Sequence, residues 1–275
     1  MESYRRFKKH RTATVGGGVA VIIMMIAIFG PLLSPIDPNQ VDFGNTLSPP
    51  SLRNPLGTDH LGRDILGRLI YGAWISLGVG IGATALSMLV GGLCGLIAGY
   101  FGKSVDVIIM RSLDVVWAFP PVLLALAFVA IRGASLSAVT LAIGVVGIPM
   151  FARIVRSTVL SVKEKDYILA ARASGIGHSK IMFTHILPNI MAPVIVVATF
   201  GVAGAIMIES ILSFLGLGIQ PPASSWGLMI NEGQKYLRTF PYYSLFPGLM
   251  IMITVFAFNA FGDGLRDAWD PKLKT

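Results

Sequence analysis

Four ionisable residues lie in or beside long apolar stretches of this 275-residue chain: Asp106, Arg111, Asp114 and Glu209. Charge inside a membrane is costly, so such residues raise functional readings first: a proton relay, an ion site or a substrate contact. Arg111 and Asp114 are three apart, hence on one helix face, and are expected to neutralise each other as a structural ion pair. Asp106 extends that group toward the preceding loop. Glu209 has no evident partner in its own helix, so it faces either a water-filled path or a neighbouring subunit.

Other chemistries are poorly served. His178 and His185 share a loop at a spacing of seven, His10 and His60 are remote, and zinc sites use closer, defined intervals. Gly99-Tyr100-Phe101-Gly102-Lys103-Ser104 puts two residues between its glycines where a phosphate loop needs four. Ile97 stands where the first glycine belongs, and no strand precedes it. The single cysteine, Cys94, excludes an internal disulfide and a CxxC pair, and reads as inert packing. No GxSxG elbow is present. The expectation is a chain without catalytic residues, metal or cofactor of its own, which does not itself hydrolyse ATP.

The elements that carry these residues are membrane spans. Hydrophobic residues make up 54% of the chain and charged ones 13%, about half the charge of a soluble domain. Apolar runs at Val15–Ser34, Tyr71–Tyr100, Val105–Ile131, Leu136–Val155, Asn189–Leu217 and Leu245–Phe261 predict six crossings of roughly 20 residues each. The first follows Arg5, Arg6, Lys8, Lys9 and Arg11, lacks a small-x-small cleavage site and reads as an uncleaved anchor. With that tail inside, cytoplasmic segments hold 15 Lys and Arg and the opposite side six, which places both termini in the cytoplasm. The net charge of +8 is therefore a topology signal, and nucleic acid is not an expected partner. The expected organisation is a basic tail (1–14), a peripheral span (15–34), an extracytoplasmic loop (35–70), a transmembrane core (71–262) and a cytoplasmic tail (263–275). Gly91, Gly95 and Gly99, with Gly78 and Gly82 earlier, form small-residue stripes for close packing inside the bundle. Pro121, Pro149 and Pro193 permit bends.

The longest cytoplasmic stretch is 161–189. Ser161 and Glu164 form an S-x-x-E capping box that predicts a helix from Val162 through Ala173, with Gly175 as its stop. A second short helix is expected from about Ser179 to Leu187, ended by Pro188. Ala170, Ala171, Ala173 and Gly175 are small enough for close approach by another protein, and Arg172 and Lys180 leave the surface basic. A compact helix pair held at both ends by spans reads as a docking knob, in preference to a plain connecting hairpin or a DNA-reading motif.

This loop resembles that of permease subunits of binding-protein-dependent ABC importers. Their pattern is E-A-A, three residues, glycine, nine residues, then I-x-L-P; here it reads Leu169-Ala170-Ala171, Gly175, then His185-Ile186-Leu187-Pro188. The spacing is met throughout, while Leu169 and His185 depart from the pattern. Similarity to the dipeptide, oligopeptide and nickel branch is carried by Leu56–Asp64, Met110–Asp114, Ala118–Pro121, Leu212–Pro222 and Gly262–Asp267. The resemblance implies an all-α, type I importer fold with a cytoplasmic coupling helix pair, in a bacterial inner membrane. It also implies a second permease, two cytoplasmic ATPases that bind ATP and magnesium, and an external solute-binding protein. Asp166, Tyr167, Ala170, Ala171, Arg172, Gly175, His185, Leu187 and Pro188 are then the expected ATPase-coupling residues. Peptide is the expected cargo, with nickel complexes or glutathione as alternatives. The rival from another class is an ion-coupled secondary transporter, for which Glu209 and Asp114 are the candidate carboxylates.

Overall fold

The computed structural model describes residues 11–34 and 36–269. The basic tail before Arg11, with His10, and the last six residues lie outside the described residues. Within them the chain is built of helices, with one isolated bridge between Thr58 and Asp64.

Helix α1 (Arg11–Leu33) packs on the rest through a narrow seam of Ala20, Ile23 and Ala27, and leaves Val21, Ile22, Met25 and Phe29 exposed. A helix apolar on all sides and half uncovered belongs in lipid. A folded loop leads to α2 (Ile65–Phe101), which starts six residues before the expected span because the Asp64 side chain caps it, accepting from the Gly67 N–H at 2.7 Å. α2 is the central post. It lies against α5 (Leu136–Val162) along the predicted glycine stripe. A Cβ on Gly91 would meet the Ile148 carbonyl at 2.4 Å, and one on Gly95 the Ala152 carbonyl at 2.3 Å. Gly78 faces open space and takes no part.

The third span is not the continuous helix expected from Val105 to Ile131. It is two pieces, α3 (Lys103–Trp117) and α4 (Pro121–Arg132), bent by 85°. The Pro120-Pro121 pair explains the break: each proline disfavours helical backbone in the residue before it, and Pro120 sits extended at φ −57°, ψ 129°. The described residues thus hold five long apolar helices, or six spans if the bent pair counts as one.

The capping box at Ser161 does not form. α5 runs on through it to Val162, and α6 (Asp166–Ala173) begins after Lys165 without a side-chain cap. The favourable turn chemistry of Ser161 is overridden by the packing of Val155, Val159 and Val162 into one buried cluster. Nor does Pro188 end a short helix. α7 is continuous from His178 to Phe214. A π-helical stretch, Ile181–Ile186, precedes the proline, and the Leu187 N–H reaches the Met182 carbonyl. That widening gives the ring the room an α-turn would deny it. Beyond α7 the chain folds back as the short α8 (Trp226–Gly233) and returns as α9 (Tyr242–Trp269).

Candidate functional site

Four groups of residues stand out, and they lie at different depths. At one end of the bundle α6 is seated by Ile168 and Ala171, which pack with Ile181, Met182, Ile186, Val159 and Tyr100. The opposite face presents Asp166, Tyr167, Leu169, Ala170 and Arg172 to solvent. Ala171 is therefore turned inward, not offered at the surface as its size suggested. Helix and turn are closed by two reciprocal bonds: the Gly175 N–H donates to Arg172 (3.0 Å) and the Ile176 N–H to Ala171 (3.2 Å). Gly175 supplies the left-handed φ of +74° that this closure requires. Tyr100, the penultimate residue of α2, locks the elbow to the bundle. Its hydroxyl lies 2.8 Å from His178 Nδ1, and the Arg172 guanidinium stacks 4.9 Å from its ring centre. His185 and Leu187 are half-buried and Pro188 exposed.

Arg111 and Asp114 keep the ion pair that their spacing predicts, but it is long, and a second helix supplies a shorter contact. Asp114 accepts from Arg153 of α5 at 2.7 Å, while Arg111 stays 3.9 Å away with its side chain 82% exposed. Asp106 is held separately by a two-pronged bond from Arg156. Arg153 also lies 4.5 Å over the Trp117 ring. Tertiary packing brings Arg153 within direct bonding reach of Asp114, and that charge-assisted hydrogen bond is the stronger of the two contacts.

Glu209 faces neither water nor another subunit: its side chain is fully buried. It also has a partner in its own helix, since Ser213 donates to it at 2.8 Å, and Ser76 of α2 donates at 3.1 Å. Ser76 in turn accepts from the Trp226 N–H at 3.3 Å, so the carboxylate lies beneath the start of α8.

The fourth group escaped the sequence reading. At the opposite end of α2 from Tyr100, Arg68 donates to Asp59 (2.7 Å), Glu232 (2.6 Å) and Tyr243 (2.8 Å). Arg63 joins Asp59 at 2.6 Å, and Tyr243 donates to Glu232. Burial alone pushes the Glu232 carboxyl up; the charge of Arg68, with bonds from Tyr243 and Arg68 and the charge of Arg63, outweighs it and holds the carboxyl below its usual range. His60 stacks between Tyr236 and Tyr243, at 5.9 and 6.0 Å. Asp59, His60 and Glu232 converge closely enough to suggest a cation site, yet two guanidiniums already occupy both carboxylates. This is an ionic staple, fastening the first loop to α2, α8 and α9. The advance signals were the Leu56–Asp64 stretch, which holds Asp59, His60 and Arg63, and charges just before an apolar run.

A family model described as binding-protein-dependent transport system inner membrane component matches residues 91–275. A second, the N-terminal TM domain of oligopeptide transport permease C, matches residues 2–50. The chain is 45% identical to the dipeptide transport system permease protein DppC of Alkalihalophilus pseudofirmus, over 100% of this chain and 90% of that one. It is 42% identical to the glutathione transport system permease protein GsiD of Pectobacterium atrosepticum, over 100% and 91%. With the oligopeptide transport system permease protein OppC of Bacillus subtilis it shares 40% over 98% and 88%. Among solved structures, an inward-facing form of the MetNI methionine ABC transporter aligns with a TM-score of 0.61 at 17% identity, covering 75% of this chain and 98% of that one. That likeness carries the fold.

Proposed function

The chain belongs to the family of binding-protein-dependent transport system inner membrane components, and from that premise we propose that it moves small peptides through a path shared with a second, related permease. It is a multi-pass permease subunit of an ABC transporter of the inner membrane, not an enzyme. Both termini lie in the cytoplasm, as the Lys and Arg distribution favours. Two cytoplasmic ATPases bind ATP and magnesium and grip the elbow. An external solute-binding protein delivers cargo to the outer face around 35–68 and 218–244. The relatives named for dipeptides, oligopeptides and glutathione all carry peptide-like solutes, which supports a peptide over a nickel complex.

The observation that carries the reading is the two-faced α6. Ile168 and Ala171 hold it rigidly to the ends of α2, α5 and α7, while Asp166, Tyr167, Leu169 and Ala170 are left for a partner. A push on the exposed face is transmitted to three spans at once through packed side chains. ATP closes the ATPases, the elbows move together and the spans rock outward; hydrolysis restores the inward state. Only the difference in ATP affinity between the two states can drive this. An ion-coupled carrier is disfavoured, because Glu209 is enclosed by serines and Asp114 is held by Arg153.

The test is purification through a tag on this chain, then reconstitution in proteoliposomes. ATPases and a second permease should accompany it, and alanyl-alanine uptake should need both ATP and binding protein. Gly175→Trp should assemble, hydrolyse ATP and fail to transport. Uptake by the chain alone, or normal uptake by assembled Gly175→Trp, overturns the reading.

A further inference from the structure

Arg153 continues one face of α5. Ile143, Val146, Gly147 and Met150 line a cavity of about 200 Å³, and Arg153 follows Met150 by three residues, on the same stripe. The other walls of that cavity include Thr84, Phe151, Phe200 and Trp117. Trp117 is shared: its ring lines the cavity and lies under the Arg153 guanidinium at 4.5 Å. An aromatic and glycine-lined hollow therefore ends, on its cytoplasmic side, in a rim of charge.

The rim is built from Arg153, Asp114 and Arg111. Arg153 stands seventeen residues past the start of α5 at Leu136, roughly 26 Å along a helix, near the inner end of that span. Side-chain exposures of 40% for Arg153, 41% for Asp114 and 82% for Arg111 show that the subunit itself does not cover them. Guanidinium and carboxylate groups at that depth do not face lipid tails. Turned away from lipid, they are left to water. With Arg156 and Asp106 beside them, three guanidiniums meet two carboxylates, so the rim carries one excess positive charge. Asp114 is taken by Arg153 and Asp106 by Arg156, which leaves Arg111 as the guanidinium held most loosely.

We propose that Arg111 lines the aqueous translocation path and receives the C-terminal carboxylate of the peptide, with Trp117 and Arg153–Asp114 fixing the wall beside it. An Arg fork bonds a carboxylate in two-pronged fashion, and an apolar bed next to it accepts the side chains of varied peptides. The inference rests on the peptide reading above and names the contact within it.

Two measurements on the assembled transporter test it. Cys94 is the single cysteine of the chain, so Cys94→Ser with Arg111→Cys gives a unique thiol, read by the mass of this subunit. A cationic methanethiosulfonate should label it from the aqueous phase, and alanyl-alanine should slow the labelling. Separately, Arg111→Gln should lower the turnover of alanyl-alanine uptake roughly tenfold or more, the size of one charge-assisted bond. The half-saturating concentration, set by the binding protein, should stay within about twofold, and Arg111→Lys, which keeps the charge but loses the fork, should recover only part of the turnover. A thiol that resists the reagent, or Arg111→Gln turning over like the parent, overturns this inference while leaving the peptide reading intact. A parent complex that moves no dipeptide overturns both.

Discussion

Arg68 and Glu232 stand 164 residues apart in the chain and 2.6 Å apart in the fold. Through this contact the first turn of α2 holds the end of α8, and Asp59 and Tyr243 complete the staple on either side. Ser76 and Glu209 fix the other end of α8 two turns along α2. The short helix is thus clamped at both ends to one span.

Removing one member of a buried ion pair leaves the other charge unmatched, at a cost of about 3–5 kcal/mol. Arg68→Ala should therefore lower the melting temperature of the detergent-solubilised transporter and expose the 36–64 loop to protease. Arg53→Ala, on the exposed part of the same loop, should do neither.

The staple also sets a pH dependence. Glu232 is held below its ordinary carboxyl range when folded, so the folded state binds fewer protons than the unfolded one. Its stabilisation is complete above the ordinary range and is lost only as pH falls through the depressed folded value. Hydrogen exchange in 36–64 should stay slow through mildly acidic pH and quicken only in strong acid. In Glu232→Gln that acid step should disappear.

The glycine stripe yields a paired comparison. Gly95→Leu must push aside the Ala152 backbone, whereas a Cβ on Gly92 meets nothing within 4 Å. Overpacking of this kind costs about 1–3 kcal/mol or more. Gly95→Leu should reduce the yield of folded protein and its melting temperature, and Gly92→Leu should leave both near the parent.

How far these features were legible from sequence depends on how local their causes are. Span positions followed from apolar runs, and the turn that closes α6 from Gly175, both local properties. The breaks that were missed depend on competition: Pro120-Pro121 splits a stretch apolar enough to pass as one span, and valine packing at the end of α5 overrode the Ser161 cap. The partners of charged groups were the least legible. Asp114 keeps Arg111, three residues away, only at 3.9 Å and bonds Arg153, 39 residues away, at 2.7 Å, and nothing in either neighbourhood signals that second partner. Sequence spacing correctly identified which residues could reach each other within a helix, but not which shorter contact a second helix would supply.

The elbow allows seat and handle to be separated. Ile168 is fully buried, and Ile→Ala in such a site costs about 2–5 kcal/mol; Ile168→Ala should lower the melting temperature and uptake together. Ala170 is exposed, so Ala170→Trp should leave the melting temperature unchanged while blocking the approach of an ATPase, with uptake lost. Tyr100 connects the two roles. Tyr100→Phe gives up the bond to His178, worth about 0.5–1.5 kcal/mol, but keeps the ring beneath Arg172. Tyr100→Ala gives up both. If Tyr100 transmits the stroke from α6 to α2, the number of ATP molecules hydrolysed per peptide should rise slightly in Tyr100→Phe and severalfold in Tyr100→Ala. A ratio unchanged in Tyr100→Ala would place the transmission in the Ile168 and Ala171 contacts alone.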